Sequence, residues 1–460
     1  MSQKSSSIDI RNLLDIRTPV GVPLSGVYKQ SFAYITIKDR LPVILTKVVD
    51  SLSRNKEDIA QKYGQNATEE IKQITGFISK LKNEIATNKA LKPLPLLSNV
   101  KGDDAADWNK YLEERTKIED EPPLWYNTTW LYCECYMYRA LAQEFLKMEA
   151  LHGYDPFELQ KQSAFTNSLT SIIALSNYIV SSSQCTSTNE KKQHLYKLLK
   201  LNLWGNKCDL SLSAGAEVSQ SSNPIAVLDS LNEDILADDS DFVWNVLQKK
   251  KDNTTDIVDI VLDNAGYELF TDLCLAIFLI AQNLAQRIRF YVKRYPWYVS
   301  DTTRNDFHWT LEYMKNSSSK ELQNLANLSL EHLNNNVWTI EEEPYWTSPY
   351  EFADMRKYDP ALYAKLSDAK LVIFKGDLNY RKLLGDINWE YTTEFTQSLR
   401  GFQPTKILSL RTVKSDVCVG LKPGKGEELF EKDENWMFTG QYGLIQATVC
   451  SNCQCENKAC

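Results

Sequence analysis

The chain has 460 residues, a formal net charge of −8, 43% hydrophobic residues and 24% charged residues. This composition is ordinary for a globular protein with a sizeable core, and the acidic balance argues against a nucleic-acid partner. The N-terminus has no apolar signal segment, and the apolar run 273–281 is too short to span a bilayer. We therefore expect no membrane association and a cytoplasmic location, with the nucleus as a second compartment.

Residues 1–30 are polar, contain Pro19 and Pro23, and are predicted to form an extended N-terminal arm. Residues 31–250 are predicted to form a mainly helical domain, because apolar residues recur at helical spacing. The helical stretches are 36–85, 128–149 and 156–180. Polar, Ser-rich segments near 181–190 and 211–223 predict flexible loops within this domain.

Residues 251–448 alternate between short β-branched runs and amphipathic segments. The predicted strands are 257–262, 288–292, 371–374, 407–410 and 417–421, and the predicted helices are 267–286, 304–315, 319–335 and 360–367. This alternation is typical of a mostly parallel sheet covered by helices on both faces. The predicted fold class is α/β, with a Rossmann-like three-layer α/β/α half following the helical domain.

The ten cysteines fall into two groups. Six are scattered along the chain and are predicted to be reduced thiols, because no export signal is present. The other four lie within residues 450–460, in a spacing that could hold zinc. Because no histidine and little apolar sequence surround them, residues 449–460 are predicted to be a disordered Cys-rich tail.

Polar side chains follow two of the predicted strands. Asp263 and Asn264 end the strand 257–262, and Asp301 follows the strand segment that begins near residue 288. Their oxygens suit a divalent cation, and strand ends are where ligands bind in α/β folds. Helix capping is the alternative for each segment, and it explains one acidic or amide residue better than two in a row.

Cationic residues follow two further strands. Lys375 and Arg381 lie in the segment after the strand 371–374, and Lys414 follows the strand 407–410. Lysine and arginine at strand ends suit an oxyanion such as phosphate, although a solvated charged turn is the alternative for each. Because parallel strands end at one edge of a sheet, these residues are expected to converge with the acidic ones.

These segments together resemble the damage-control phosphatase family, formerly called domain of unknown function 89. The matching motifs are Asp263-Asn264-Ala265-Gly266-x-Glu268, Ser300-Asp301, Lys375-Gly376-Asp377-Leu378-Asn379-Tyr380-Arg381 and Arg411-Thr412-Val413-Lys414. The Arg-Thr-x-Lys motif marks the third subfamily. The resemblance implies a metal-dependent phosphatase that acts on sugar phosphates such as fructose 1-phosphate and fructose 6-phosphate, with manganese, cobalt or nickel as the ion.

The resemblance also implies residue roles. Asp263, Asn264 and Asp301 are expected to hold the metal and to be catalytic. The expected substrate-binding residues are Asp263, Asn264, Glu268, Lys375, Asp377, Leu378, Asn379, Tyr380, Arg381 and Lys414. Glu268 and Asp377 are both candidates for the general acid.

Two other functions remain open. The family has also been assigned S-adenosylmethionine-dependent methylation of protein glutamate side chains, which would make proteins the substrates. No glycine-rich methyltransferase loop supports that activity, so it is the second choice. A non-catalytic scaffold with the helical half as a docking surface is the third.

Overall fold

The computed structural model describes residues 13–98, 100, 102–205, 228–250 and 255–448. The predicted loop at 211–223 and the predicted tail at 449–460 lie outside the described residues. The first part of the chain is helical. Its helices are α1 (Phe32–Ile35), α2 (Leu41–Arg54), α3 (Lys56–Tyr63), α4 (Asn66–Ala86), α5 (Ala105–Glu119), α6 (Trp130–Leu146), α7 (Glu158–Asn167), α8 (Leu169–Ser182) and α9 (Thr188–Gly205).

The connection between α8 and α9 is shorter than predicted. Only residues 183–187 separate the two helices. Both ends of the flexible loop predicted near 181–190 are therefore helical. Serine is tolerated in the last turn of a helix, and here the hydroxyl of Ser182 donates to the carbonyl of Ile179 at 3.3 Å. The single helix predicted over 156–180 is likewise two helices, α7 and α8.

A seven-stranded sheet forms the centre of the molecule. Its strands are β1 (Ile235–Asp238), β2 (Ile257–Val261), β3 (Arg287–Tyr291), β4 (Trp338–Glu341), β5 (Leu371–Lys375), β6 (Ile407–Thr412) and β7 (Gly443–Ala447). Their order is β1-β7-β6-β5-β2-β3-β4, and every neighbouring pair is parallel except β6 with β7. The prediction of a mostly parallel α/β sheet is confirmed.

The helices of the second half connect these strands. They are α10 (Ser240–Gln248), α11 (Tyr267–Ala281), α12 (Arg304–Lys315), α13 (Lys320–Asn334), α14 (Met355–Tyr358), α15 (Pro360–Ser367), α16 (Gly376–Leu384), α17 (Phe395–Ser398) and α18 (Lys425–Lys432). Three of the four predicted helices match closely, whereas the helix predicted over 267–286 ends at Ala281.

The strand predicted at 417–421 was wrong, because this segment joins no strand of the sheet. The amides of Gly420 and Leu421 instead donate to the carbonyls of Thr393 and Tyr391, each at 2.8 Å. The free edge of β6 is occupied by β7, which runs antiparallel to it. The sequence patterns did not indicate β1, β4 or β7, which lie at or beside the edges of the sheet.

Two clusters of buried hydrophobic side chains lie on opposite faces of the sheet. One joins helices α2, α4 and α6 to strand residues such as Phe374 and Leu444. The other joins helices α8, α9, α11, α12 and α13 to strand residues such as Ile260 and Ile373. The helices before residue 205 are therefore divided between both outer layers, and β1 lies in the sheet although it precedes the domain boundary predicted at residue 250.

Within the described residues, no helix is both long enough and apolar enough to cross a membrane.

Candidate active site at the carboxyl edge of the sheet

A cavity opens at the carboxyl ends of β2, β5 and β6. It contains about 400 Å³ of space free of atoms, including its open mouth, of which about 30 Å³ admits the centre of a water molecule. The cavity is therefore narrow. Its walls consist of Phe32, Arg40, Trp130, Glu134, Asp263, Tyr298, Asp301, Asp377, Leu378, Arg381 and Lys414.

The two acidic segments predicted from the sequence meet at this cavity. The amide of Thr302 donates to the carbonyl of Asp263 at 2.7 Å, and the amide of Ala265 donates to the carbonyl of Ser300 at 2.8 Å. Asn264 and Asp301 form an antiparallel β-bridge between these bonds. The segments after β2 and β3 are thus joined through their backbones, and both Asp263 and Asp301 line the cavity.

The turn that leads into Asp301 has an unusual backbone. Tyr298 and Val299 have φ values of +44° and +67°, a region that is rare for non-glycine residues and is often found at functional sites. The hydroxyl of Tyr298 donates to Glu134 on α6 at 3.2 Å, and its ring stacks on Tyr138 with centroids 4.7 Å apart. Helix α6 therefore holds the strained turn that presents Asp301.

Gly376 leaves the space that the Asp263 carboxylate occupies. A Cβ atom at residue 376 would lie 1.8 Å from Asp263 Oδ2, and the φ of Gly376 is +81°. Any larger residue would displace the carboxylate and would also strain the backbone. A glycine at residue 376 is therefore required for the Asp263 carboxylate to keep its position.

A network of charges lies behind the cavity wall. The ammonium group of Lys375 donates to Glu268 Oε1 and to Asp272 Oδ1, both at 2.9 Å, and all three side chains are buried. Burial alone lowers the pKa of Lys375, but the charges of Asp272 and Glu268 outweigh it and raise that pKa. Burial raises the pKa of Asp272 to about 7, against the opposing effect of Lys375.

This enclosed cluster orients Asn264. The amide nitrogen of Asn264 donates to Glu268 Oε2 at 2.8 Å and to Asp263 Oδ2 at 2.9 Å, while its amide oxygen accepts from the hydroxyl of Ser300. Among the described residues, Asn264, Glu268 and Lys375 are not in the cavity wall. Their contacts hold the segment after β2 in place behind the cavity wall, whereas the sequence predicted that these three residues bind the substrate directly.

Arg411 organises the loop that carries Lys414. Its guanidinium donates to Asp377 Oδ1 at 2.7 Å and to the hydroxyl of Ser415 at 2.9 Å, and it is fully buried. The amide of Lys414 donates to the same Asp377 oxygen at 3.3 Å. The arginine of the Arg-Thr-x-Lys motif therefore folds the loop, and the lysine of the motif lines the cavity.

Arg381 lines the cavity but is committed to internal ion pairs. It donates to both oxygens of Asp386, at 2.7 and 2.9 Å, and to Glu134 Oε2 at 2.7 Å. Its guanidinium carbon lies 3.5 Å from the centre of the Trp130 ring. Two carboxylates thus oppose the single charge of Arg381, and the residue joins α16 to α6.

Three neighbours of Arg381 on α16 have different positions. Leu378 lines the cavity. Asn379 donates to the carbonyl of Lys375 at 2.7 Å, and Tyr380 donates to Gln446 at 2.8 Å. Both of these side chains are buried away from the cavity wall, where they position α16 on the sheet.

Four residues that reach the cavity from the helical side were not predicted from the sequence: Phe32, Arg40, Trp130 and Glu134. Lys293 was not predicted either; its ammonium lies 2.9 Å from Asp301 Oδ2 and donates to the carbonyl of Leu262 at 2.9 Å. Burial raises the pKa of Glu134 against the opposing charge of Arg381. Hydrophobic periodicity identified α6 correctly, but it does not show which residues of a wholly buried helix face a cavity.

The donor set at the strand ends fits a divalent cation. Within the described ranges, no group of three or more His, Cys, Asp or Glu residues forms a metal-ligand cluster. The set therefore depends on the carboxylates of Asp263 and Asp301, which both line the cavity, whereas the predicted ligand Asn264 lies behind the wall with its amide oxygen accepting from Ser300. The space that Gly376 leaves for the Asp263 carboxylate is consistent with such a role.

The sheet is mostly parallel, and acidic and basic side chains surround one cavity at its carboxyl edge. The chain is therefore of the class of α/β proteins that bind their ligand at this edge of the sheet. The chain belongs to the damage-control phosphatase ARMT1-like family, whose domain model matches residues 36–429.

Three relatives show the extent of the similarity, and each is named damage-control phosphatase ARMT1. The chain is 42% identical to the Danio rerio protein over 434 residues, which cover 92% of this chain and 96% of the relative. It is 43% identical to the Xenopus tropicalis protein and 40% identical to the Homo sapiens protein, in both cases over 93% of this chain and 98% of the relative.

Proposed function

We propose that this protein is a divalent-metal-dependent phosphatase that hydrolyses small sugar phosphates such as fructose 1-phosphate and fructose 6-phosphate. The observation that carries the proposal is the meeting of Asp263, Asp301 and Lys414 at one narrow cavity. Family membership and the names of the relatives, damage-control phosphatases, support phosphoester hydrolysis.

Asp263 and Asp301 are the cavity-lining residues that would hold the cation, with manganese, cobalt or nickel as candidates. When bound, such an ion neutralises phosphoryl charge and lowers the pKa of a coordinated water. The backbone bridge between Asn264 and Asp301 keeps the two ligand segments in register. Gly376 gives the Asp263 carboxylate room at the centre of the site.

Lys414 supplies positive charge for the phosphoryl oxygens. Its loop is held by Arg411 and Asp377, so the ammonium is positioned before the substrate arrives and needs little reorganisation. Asp377 accepts three hydrogen bonds at Oδ1, from Arg411, Ser415 and the Lys414 amide. Asp377 is therefore committed to holding the Lys414 loop, which argues against it as the general acid.

Glu268 is also a poor candidate for the general acid. It is 1% exposed, it is bonded to Lys375 and Asn264, and it lies behind the wall. No feature of the described residues favours the S-adenosylmethionine-dependent alternative, so methyl transfer is not proposed.

A screen of hexose phosphates against Mn²⁺, Co²⁺, Ni²⁺ and Mg²⁺ tests the proposal. The expected result is phosphate release that needs a divalent ion, is greatest for ketose phosphates and disappears in Asp263→Asn. Absence of phosphate release from every ester with every ion would overturn it. Methyl transfer from S-adenosylmethionine to protein carboxylates, abolished by the same substitution, would replace it with the alternative.

A further inference from the structure

The side of the cavity formed by the helical half is chemically distinctive. Phe32, Arg40, Trp130 and Glu134 face the segments that carry Asp263, Asp301 and Lys414 across one narrow space. Phe32 and Trp130 pack edge to face with ring centroids 5.9 Å apart. Arg40 is the basic residue that this half contributes to the wall, and the resemblance assigns it no role.

The backbone around Arg40 departs from a regular helix. Residues Thr36–Arg40 form a π-helical turn between α1 and α2, and Pro42 follows in the first turn of α2. Proline has no N–H with which to continue an α-helical bond to the carbonyl four residues earlier, and the wider turn lies immediately before it. Such turns are rare and are frequently found at functional sites, because the extra residue changes which side chains face a neighbouring surface.

Local contacts fix the Arg40 side chain at the cavity. Its Nη1 donates to the hydroxyl of Thr36 at 3.2 Å, and its guanidinium carbon lies 4.9 Å from the centre of the Phe32 ring. The amide of Phe32 donates in turn to Asp416 Oδ2 at 2.8 Å. Asp416 follows Lys414 in the loop organised by Arg411, so the Arg40 turn is tied to the Lys414 loop.

The charges around the cavity favour a second cation for the substrate. Asp263, Asp301, Asp377 and Glu134 all line it, so a phosphate dianion enters a site rich in carboxylates. Arg381 adds little attraction, because Asp386 and Glu134 already oppose its charge. A planar guanidinium binds two oxygens of a phosphoryl group with two parallel N–H bonds, which a lysine does not do.

We infer that Arg40 is a substrate-binding residue whose guanidinium holds the phosphoryl oxygens together with Lys414. The inference rests on the proposed phosphatase function and deepens it. Phosphate is thus bound between the two halves of the chain, by Lys414 from the sheet side and by Arg40 from the π-helical turn.

Binding of inorganic phosphate in the presence of Mn²⁺, measured by calorimetry on the full-length protein, tests the inference without requiring turnover. Arg40→Ala is expected to weaken phosphate binding by about 10- to 100-fold, the usual effect of losing hydrogen bonds to a charged group. Arg40→Lys is expected to recover only part of the affinity, because it retains the charge but not the fork. The affinity for Mn²⁺ alone is expected to stay unchanged in both variants.

Two further variants separate binding from structure. Lys38→Ala removes an exposed positive charge from the same π-helical turn and is expected to leave phosphate affinity unchanged. Thr36→Val removes the hydroxyl that accepts from Arg40, and it is expected to weaken phosphate binding by less than Arg40→Ala does. Because Thr36→Val nearly preserves side-chain shape, it keeps the test decisive if Arg40→Ala does not fold.

Wild-type phosphate affinity in both Arg40→Ala and Arg40→Lys would overturn the inference, whatever their turnover. A protein that hydrolyses no ester, yet loses phosphate affinity in Arg40→Ala and not in Lys38→Ala, would support the role of Arg40 while refuting the phosphatase proposal. The two failures are therefore distinguishable.

Discussion

Carboxylates and ammonium groups occur both in the cavity wall and in the enclosed cluster behind it, which consists of Lys375, Glu268 and Asp272. Asp263 and Lys414 line the cavity, whereas Glu268 and Lys375 form an ion pair at 2.9 Å behind its wall. All four lie at or after the carboxyl ends of strands in one sheet, and their residue types alone do not separate them. The position of each side chain relative to the wall decides whether it meets a substrate or supports the residues that do.

The difference has a physical basis in desolvation. An enclosed ammonium is tolerated only when carboxylates surround it, as Glu268 and Asp272 surround Lys375, and breaking such a pair leaves an uncompensated buried charge. Substitutions in the enclosed cluster are therefore expected to affect stability first. Substitutions at the cavity are expected to affect activity first.

The largest effect on activity is expected at Asp263. Asp263→Asn keeps the shape of the side chain but removes the charge that would hold the cation, so hexose-phosphate turnover with Mn²⁺ should fall on the order of 10³-fold. Phosphate release and thermal unfolding measure the two consequences. Asp58→Asn, on the exposed side of α3, is the matched control. Undiminished turnover in Asp263→Asn would remove the residue from the site.

The largest effect on stability is expected at Lys375. Lys375→Met leaves Glu268 and Asp272 buried without their cation, and the free energy of unfolding should fall by about 3–5 kcal/mol. Urea unfolding measures this loss. Adding Asp272→Asn to the variant should restore part of the stability, since one of the uncompensated charges is then gone. Unchanged stability in Lys375→Met would show that the enclosed cluster does not depend on this ion pair.

A smaller effect is expected at Lys414. Lys414→Gln should lower kcat/KM by about 10- to 100-fold through the loss of charge facing a phosphate dianion. Its free energy of unfolding should change by less than about 1 kcal/mol, since the loop is held by Arg411. Lys422→Gln, at an exposed position farther along the chain, is the control. Loss of stability without loss of activity would place Lys414 with the enclosed residues.

A further expected effect is a pH dependence of stability from Asp416, which connects the two halves through the Phe32 amide. Burial raises the pKa of Asp416 to about 7 from its ordinary value of 3.8, opposed by the Phe32 hydrogen bond. The folded chain therefore holds a proton that the unfolded chain has released between these values. The contribution of Asp416 to the free energy of unfolding therefore falls as the pH rises from about 4 to 7, by up to about 1.4 kcal/mol per pH unit.

Asp416→Asn should flatten that pH dependence, because asparagine accepts the Phe32 hydrogen bond without titrating. Urea unfolding of both proteins at pH 5, 6 and 7 measures the difference in slope. Parallel slopes for the two proteins would contradict the raised pKa.

The sequence predicted the main features of the sheet because its central strands are unambiguous. Ile257–Val261 is apolar except for Asp259, and Leu371–Lys375 is apolar up to its last residue. Polar residues follow both, which is the pattern of buried parallel strands. The edge strand Ile235–Asp238 and its neighbour Gly443–Ala447 were missed, since each contains two residues of types that are depleted in strands, among Ala, Asp and Gly. The distribution of the early helices over both faces of the sheet depends on long-range packing that no local pattern shows.

The sequence predicted which strand ends meet at the site, but not which side chains face inward. Asp263, Asp301 and Lys414 were predicted and line the cavity, whereas Lys375 and Asn379 were predicted and lie behind it. One residue along a helix or strand end is enough to turn a side chain away. Arg40 and Glu134 were missed because they approach from segments distant in sequence, and the π-helical turn that carries Arg40 is apparent only in the structure.

Binding of Mn²⁺ to the wild-type protein and to its Asp263→Asn and Asp301→Asn variants tests the central claim most directly. Electron paramagnetic resonance titration should show one tightly bound ion per wild-type chain and greatly weakened binding in both variants, although the two residues lie in separate segments. Equal binding in all three proteins, or phosphate release that survives complete removal of divalent ions, would contradict the account.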